Sequence, residues 1–184
     1  MSSDFVLDAV ISAVSIGVIA QYAWSLKAHF TSPKMPDGAK IISLAVALTG
    51  FLYMLALWVF SQPSAAQIAG LLLQLLSIAL FWWAISASKM ARLRFAFDKA
   101  APASLLQDGP YAYVRHPFYT SYILFWAGWA VATWTLWAAL PLVFLIAVYV
   151  RAAREEENNF SSTSFAAAYA DYKKRAGLFW PKLG

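Results

Sequence analysis

Residues 119–150 read YTSYILFWAGWAVATWTLWAALPLVFLIAVYV and contain no charged side chain. At about 1.5 Å per residue, a single helix of this length would measure about 48 Å, whereas the hydrocarbon core of a bilayer is about 30 Å thick. The stretch can therefore be one steeply tilted helix or two short helices that fold back around Thr133, Trp134 and Thr135. The choice between the two decides the topology of the chain.

The rest of the chain is also strongly apolar. Of its 184 residues, 61% are hydrophobic and 12% are charged, and the mean hydropathy is +0.60. A soluble domain needs more polar surface than this, so the sequence predicts an integral membrane protein. Its 9 Trp and 9 Tyr suit the interfacial belts of such a protein. Three further apolar blocks of helix length lie before residue 119, roughly at Phe5–Leu26, Ile41–Phe60 and Ala65–Ser86.

The positions of the basic residues favour two short helices over one long one. No Lys or Arg lies before residue 27, in the turn at 61–64 or in the stretch 133–137. Because cytoplasmic loops carry the excess of Lys and Arg, five helices with the N-terminus outside put all 14 basic residues on the cytoplasmic side. Four helices would put the basic tail on the other side. The basic residues fall into three segments, Lys27–Lys40, Lys89–Arg115 and Arg151–Lys182.

The sequence thus predicts an all-α integral membrane protein with five transmembrane helices. The last two form a tight helical hairpin, and a cytosolic C-terminal helical segment follows it. We interpret residues 1–184 as one membrane domain, with three N-terminal helices in 1–88 and the hairpin and tail in 89–184. Within the second part, residues 89–108 mix Arg92, Arg94 and Lys99 with apolar residues, a pattern typical of an interfacial segment.

The N-terminus has no positively charged region before its first apolar block, so we expect a retained membrane helix and no cleaved signal peptide. The C-terminus is expected in the cytoplasm. The short external side favours a bacterial inner membrane.

Polar side chains concentrate at Gly109–Tyr119, GPYAYVRHPFY, where the uncharged stretch begins. Arg115 and His116 are open to two interpretations. They can be a snorkelling Arg and an interfacial His before a helix-starting proline, or part of a functional site, because ionisable groups at membrane depth are usually functional. The run Arg151–Glu157 can likewise be a solvated collar or a functional cluster. A hairpin would bring the two clusters together on one side of the membrane, which predicts a pocket between them.

Neither a metal nor a nucleic acid is expected as a partner. With no Cys and two His, a metal site would need carboxylates, and the consecutive residues Glu155–Glu157 point in different directions on a helix. The basic residues follow membrane topology and do not form a nucleic-acid patch. Gln21 and Gln74 lie within apolar helices, where they either form interhelical hydrogen bonds or line a cavity.

Two parts of the sequence resemble the isoprenylcysteine carboxyl methyltransferase family, which belongs to a wider group of membrane methyltransferases that includes phospholipid N-methyltransferases. The first part is LLQDGPY at 105–111, followed by YVRHPFYT at 113–120. The second is the tail, and the resemblance covers about residues 89–181. The tail residues concerned are Arg151, the glutamate run, Phe165, Tyr169, Tyr172 and the closing Phe179-Trp180-Pro181.

The resemblance implies S-adenosylmethionine as the cofactor, bound by the part 89–184. It implies a lipophilic small molecule or lipid as the methyl acceptor, such as an isoprenylcysteine carboxylate or a lipid head group. By similarity, Arg115 and Arg151 would orient the acceptor. An amine acceptor would also need a proton acceptor, and Glu155 or Glu156 could serve. The implied cofactor contacts are Leu105 and Leu106 beside the adenine, Tyr111, His116, Pro117, Phe118, Tyr119, Glu155 and Glu156.

The sequence departs from the family pattern at three places. Ser121 stands where the family often has Gly, and Ala176–Leu178 replaces a segment that commonly carries an Arg. The spacing from the glutamate run to Phe165 differs by a residue or two. The family's glutamate pair can therefore be any two of Glu155, Glu156 and Glu157, and the spacing from Arg151 favours the first two.

Two other functions stay open at this point. Membrane sterol and steroid reductases, which use NADPH, share a similar Arg-His-Pro-x-Tyr ending. A non-enzymatic membrane subunit could keep the same fold without the chemistry.

Overall fold

The computed structural model describes residues 3–28, 34–89 and 104–182, and within these ranges the chain forms helices and no strand. The predicted all-α class is confirmed for them. An isolated parallel bridge joins Val114 to Gly177. The interfacial segment predicted at 89–108, with Arg92, Arg94 and Lys99, falls mostly outside the described residues. The helices are α1 (Ser3–Ala28), α2 (Asp37–Val59), α3 (Ser64–Ala87), α4 (Pro117–Thr133), α5 (Ala139–Ser161) and α6 (Ala166–Arg175), with 3-10 turns at Gly109–Ala112 and Leu136–Ala138.

Four helical stretches in the described part of the chain are long and apolar enough to cross a membrane. The chain is accordingly an integral membrane protein. The helix α4 begins the uncharged stretch and is shorter, with 17 residues. The four candidate spans are Phe5–Ala28, Asp37–Val59, Ser64–Ala87 and Leu136–Phe160.

The uncharged stretch breaks where the sequence places its turn. The helix α4 ends at Thr133, and Trp134 adopts the left-handed backbone conformation with φ of 47°. The 3-10 turn at Leu136–Ala138 then leads into α5. Pro117 is the first residue of α4, a position that suits proline because its ring presets the helical φ and the missing N–H would be unpaired there in any case.

Two glycines let α3 and α4 approach each other closely. A Cβ built on Gly70 of α3 would lie 2.3 Å from the backbone oxygen of Gly128, and a Cβ on Gly128 would lie 2.6 Å from that of Gly70. Both distances are far below van der Waals contact, so neither position tolerates a side chain at this separation. Small residues of this kind are typical of helix contacts in membranes, where close backbone approach provides the packing energy.

Hydrogen bonds within the apolar bundle attach α1 to α3. Gln74 donates from Nε2 to the Oγ of Ser15 over 2.9 Å, and the hydroxyls of Tyr22 and Ser77 lie 2.7 Å apart. Trp82 donates to the Oε1 of Gln21 over 3.0 Å. The interhelical hydrogen bonds expected as one alternative for Gln21 and Gln74 are thus confirmed.

Aromatic side chains fill the centre of the bundle around α4. Trp126 and Trp129 are almost fully buried and stack with ring centroids 5.8 Å apart. Tyr53 of α2 packs edge-on against both rings and donates its hydroxyl hydrogen to the backbone oxygen of Ala138 over 2.6 Å. This contact ties α2 to the beginning of α5.

Replacing Gly70 with Ala is expected to destabilise the protein. The added methyl group must push α3 and α4 apart, and such overpacking typically costs about 1–3 kcal/mol. Gly17→Ala is the matched control, because nothing lies within 4 Å of a Cβ at that position. Thermal unfolding in detergent should show a lower midpoint for Gly70→Ala only. Equal midpoints for the two variants would contradict the close contact.

Candidate functional site

A buried ion pair joins the segment before α4 to the end of α5. The Nε of Arg115 lies 2.6 Å from the Oε1 of Glu157, and the two side chains are 9% and 8% exposed. Arg115 also donates from Nη1 to the backbone oxygen of Ala176, over 2.5 Å. A buried charge without a partner is very costly, so each member of the pair depends on the other.

The C-terminal segment pairs with the backbone beside Arg115. The Arg115 N–H donates to the oxygen of Gly177 over 2.8 Å, and the Gly177 N–H donates to that of Tyr113 over 3.0 Å. The chain folds so tightly at Gly177 that a Cβ there would lie 1.6 Å from the Trp180 backbone oxygen. Ala176–Leu178, a departure from the family pattern, therefore contacts Arg115 through its backbone.

His116 lies between two glutamates. Its Nδ1 is 3.4 Å from the Oε2 of Glu156, and its Nε2 is 3.5 Å from the Oε1 of Glu157. Burial lowers the pKa of His116, but the hydrogen bonds and negative charges of the two glutamates outweigh that effect and raise it above the ordinary value. A larger fraction of His116 is therefore protonated at neutral pH than of a free histidine.

Glu156 is the more exposed of the two glutamates beside His116. Its side chain is 31% exposed, against 8% for Glu157, and it accepts a hydrogen bond from the hydroxyl of Tyr119. The Tyr119 ring stacks on Tyr149 with centroids 5.6 Å apart and on His116 at 5.7 Å. The carboxylate is thus fixed from α4 while it remains accessible.

The helix α6, in the C-terminal tail, completes the arrangement. Lys173 places its Nζ 3.1 Å from the Oε2 of Glu157, so the two oxygens of this carboxylate face different cations. The hydroxyl of Tyr172 donates to the backbone oxygen of Tyr111 over 2.6 Å. These contacts hold α5, α6 and the 3-10 turn at Gly109–Ala112 together.

These groups form one part of the wall of a cavity of about 710 Å³. Its polar part is lined by Tyr111, Arg115, His116, Tyr119, Glu156 and Asn159. The remainder is apolar and runs between α1, α2 and α4, where Ile19, Val46, Gly50, Met54, Trp126 and Trp129 line it. One continuous space therefore joins a charged region to an apolar region.

Every residue that the sequence predicts for the site lines this cavity except Arg151 and Glu155. Those two lie on the outer face of α5, with side chains 76% and 42% exposed, and their Nε and Oε1 atoms are 3.0 Å apart. They form an exposed pair one helical turn apart, which corresponds to the solvated collar left open above. The structure brings Arg115, His116 and Glu156 together and leaves Arg151 and Glu155 outside.

The sequence left Glu157 open as a member of the glutamate pair and indicated no role for Lys173. The signal for Glu157 is helical periodicity, because it lies four residues after Ala153, which is buried. This periodicity turns Glu157 inward and Glu155 outward. The contact of Lys173 depends on how α6 packs against α5, and the local sequence contains no signal for that.

The described residues contain no group of three or more His, Cys, Asp or Glu side chains that could hold a metal ion. The charged region instead provides carboxylate acceptors, aromatic faces and an imidazole. This combination suits a polar organic ligand that carries positive charge.

Comparison with protein families gives one match. The model of a family described as phospholipid methyltransferase matches residues 65–168, more than half of the chain. The matched region contains α3, α4 and α5, with Arg115 and the glutamate run. Comparison with curated proteins finds no match.

Glu157→Gln is expected to destabilise the protein far more than Glu155→Gln. The first change leaves the Arg115 charge buried without its counter-ion, and breaking a buried pair typically costs about 3–5 kcal/mol. The second removes an exposed pair of neighbouring residues, worth less than about 1 kcal/mol. Unfolding in detergent measures the loss of stability of each variant. The two variants carry the same chemical change at positions two residues apart. Equal losses of stability in the two variants would contradict the burial of the Arg115–Glu157 pair.

Proposed function

The chain belongs to the phospholipid methyltransferase family, and from that premise we propose that it transfers a methyl group from S-adenosylmethionine to a lipophilic acceptor at the membrane surface. The observation that carries this proposal is one continuous cavity with Glu156 and His116 in one part and mainly apolar walls in the other. A water-soluble, cationic donor and an acceptor with an apolar tail need such a combination.

The polar part of the cavity fits the cofactor chemically. The sulfonium group of S-adenosylmethionine is a cation, and a carboxylate beside aromatic rings stabilises a positive charge. Glu156 provides the carboxylate, and Tyr119 provides a ring and fixes the carboxylate by a hydrogen bond. We propose that these two hold the cofactor together with the predicted contacts Leu105, Leu106, Tyr111, His116, Pro117 and Phe118.

We propose Glu156 and Glu157 as the glutamate pair of the site, in place of Glu155 and Glu156. Glu156 contacts the ligand, and Glu157 is a positioning residue that holds Arg115 and His116. Arg151 and Glu155 are not included, because both lie outside the cavity and pair with each other. Arg115 lines the cavity, and its bonds to Glu157 and Ala176 fix the orientation of its guanidinium group.

S-Adenosylmethionine would supply an electrophilic methyl group. The acceptor atom would bond to the methyl carbon in line with the C–S bond, which would break and release S-adenosylhomocysteine. The protein mainly has to place the acceptor atom against that methyl group, and such positioning alone can contribute about 7–11 kcal/mol. A carboxylate acceptor needs no base. An amine acceptor loses a proton, and Glu156 is the carboxylate on the cavity wall that can accept it.

We also propose that α4 crosses the membrane as a fifth span, with the N-terminus outside and the C-terminus in the cytoplasm of a bacterium. Its 17 residues extend over about 25 Å, slightly less than the hydrocarbon core. Most of its side chains are buried among the other helices. Lys27 at the end of α1, Lys40 in α2, Arg115 before α4 and Arg151 in α5 then all lie on the cytoplasmic side.

S-Adenosylhomocysteine is expected to raise the unfolding temperature of the purified protein. At a hundredfold excess over Kd the stabilisation is about 2.7 kcal/mol. S-Adenosylhomocysteine lacks the sulfonium charge but keeps the cationic ammonium group, so Glu156→Gln should reduce this shift by removing the negative charge of the carboxylate from the cavity wall. Glu155→Gln is the matched control and should retain it.

The same measurement separates the alternatives. NADPH should produce no shift. A shift with NADPH alone would assign the chain to a reductase function, and no shift with either ligand would favour a non-enzymatic subunit.

Cysteine labelling tests the fifth span, because the chain has no cysteine of its own. We expect Ser61→Cys, in the turn between α2 and α3, to react with a membrane-impermeant maleimide on intact cells in which the outer membrane is permeable. Ala168→Cys, on the exposed side of α6, should react only after the inner membrane is opened. Labelling of both residues from outside would place the tail there and rule out five spans.

A further inference from the structure

We propose that Gly50 of α2 sets the length of the apolar tail that the methyl acceptor can have. The inference rests on the proposed function, because it assigns the apolar part of the cavity to the tail of the same acceptor. The tail is a long hydrocarbon chain, either an acyl or an isoprenoid chain, and it lies between α1 and α2.

The cavity runs along α2 for a large part of the membrane thickness. Its lining residues on this helix extend from Ala39 to Met54, which corresponds to about 22 Å along the helix axis. On α1 the lining extends from Ile16 to Leu26. The two helices touch each other little, so this space is not filled by their own side chains. Its length and shape suit an extended chain better than a compact ligand.

The apolar part of the cavity is open to the bilayer. Ile16 and Phe51 both line the cavity and are 59% and 65% exposed, so they face the cavity and the lipid at once. An acceptor embedded in the membrane can therefore enter sideways between α1 and α2. The continuity of the space with the region of His116 and Glu156 then brings the reactive head group to the cofactor side.

Gly50 lies where this space meets the two stacked tryptophans of α4. It is buried, and a Cβ built on it would lie 3.5 Å from Ile19 Cδ1, 3.7 Å from Trp129 Cζ3 and 3.8 Å from Trp126 Cη2. These are ordinary contact distances, so alanine fits here without strain. A larger side chain would have to extend into the cavity, because the tryptophans are held in the core and Trp126 is also hydrogen-bonded to Tyr149.

The absence of a side chain at Gly50 therefore leaves space for the far end of the tail. Leucine at this position would fill that space and exclude long chains, while short chains would still fit. In an apolar pocket, one methylene group changes selectivity about tenfold or more. We expect Gly50→Leu to change chain-length preference by at least that factor.

Photocrosslinking in membranes tests the proposal without depending on methyl transfer. The probes are a palmitic acid and a decanoic acid, each with a diazirine at the chain end and an alkyne for detection. In the wild-type protein, the palmitic probe should label peptides that contain Gly50 or Trp126. Gly50→Leu should lower this labelling about tenfold relative to that by the decanoic probe. Gly17→Leu is the control, because Gly17 is exposed and a Cβ built on it meets nothing within 4 Å.

Gly50→Ala provides a second variant whose packing is unstrained, and it should shift the labelling ratio in the same direction by a smaller factor. The proposal is overturned if the wild-type protein is not labelled near Gly50, or if both Gly50 variants show the labelling ratio of Gly17→Leu. A failure of the proposed function has a different signature, because labelling would follow the pattern above while S-adenosylhomocysteine failed to stabilise the protein.

Discussion

The buried ion pair between Arg115 and Glu157 is the interaction on which the site depends. It connects three parts of the chain that are far apart in sequence, namely the turn before α4, the end of α5 and the C-terminal segment at Ala176. Two charges of this kind are stable in a buried position only if each is fully paired. The pair therefore fixes how α5 is rotated about its axis relative to α4, and this rotation decides which side of α5 faces the cavity.

The three consecutive glutamates of α5 show the consequence of that register. Successive positions on a helix are rotated by about 100°, so one carboxylate faces solvent, one faces the cavity and one lies within the protein. Glu155 pairs with Arg151 at the surface, Glu156 is accessible beside Tyr119, and Glu157 holds Arg115 and Lys173. The same side-chain chemistry thus provides a solvated surface, an accessible carboxylate on the cavity wall and a buried counter-ion within one helical turn.

Much of the architecture follows from composition and charge, and the rest depends on contacts between distant segments. The apolar blocks, the break near Trp134 and the proximity of His116 to the glutamate run could be predicted, because each depends on helix length or chain direction. The spacing to Arg151 could not predict that Glu157 is buried beside Arg115 while Glu155 is exposed, because this difference depends on the rotation of α5 about its axis. The pairing of Gly177 and Leu178 with the chain beside Arg115 could not be predicted from the sequence, because it is formed by backbone atoms. The close approach at Gly70 and Gly128 likewise needs both helices in place.

The central claim is that the cavity beside this ion pair transfers a methyl group to a lipid-soluble acceptor. The most direct measurement is the incorporation of tritium from methyl-labelled S-adenosylmethionine into the lipid extract of membranes that contain the protein. We expect incorporation with the wild-type protein and with Glu155→Gln, and a loss to background with Glu156→Gln. Incorporation no higher than in membranes without the protein, or full incorporation with Glu156→Gln, would contradict it.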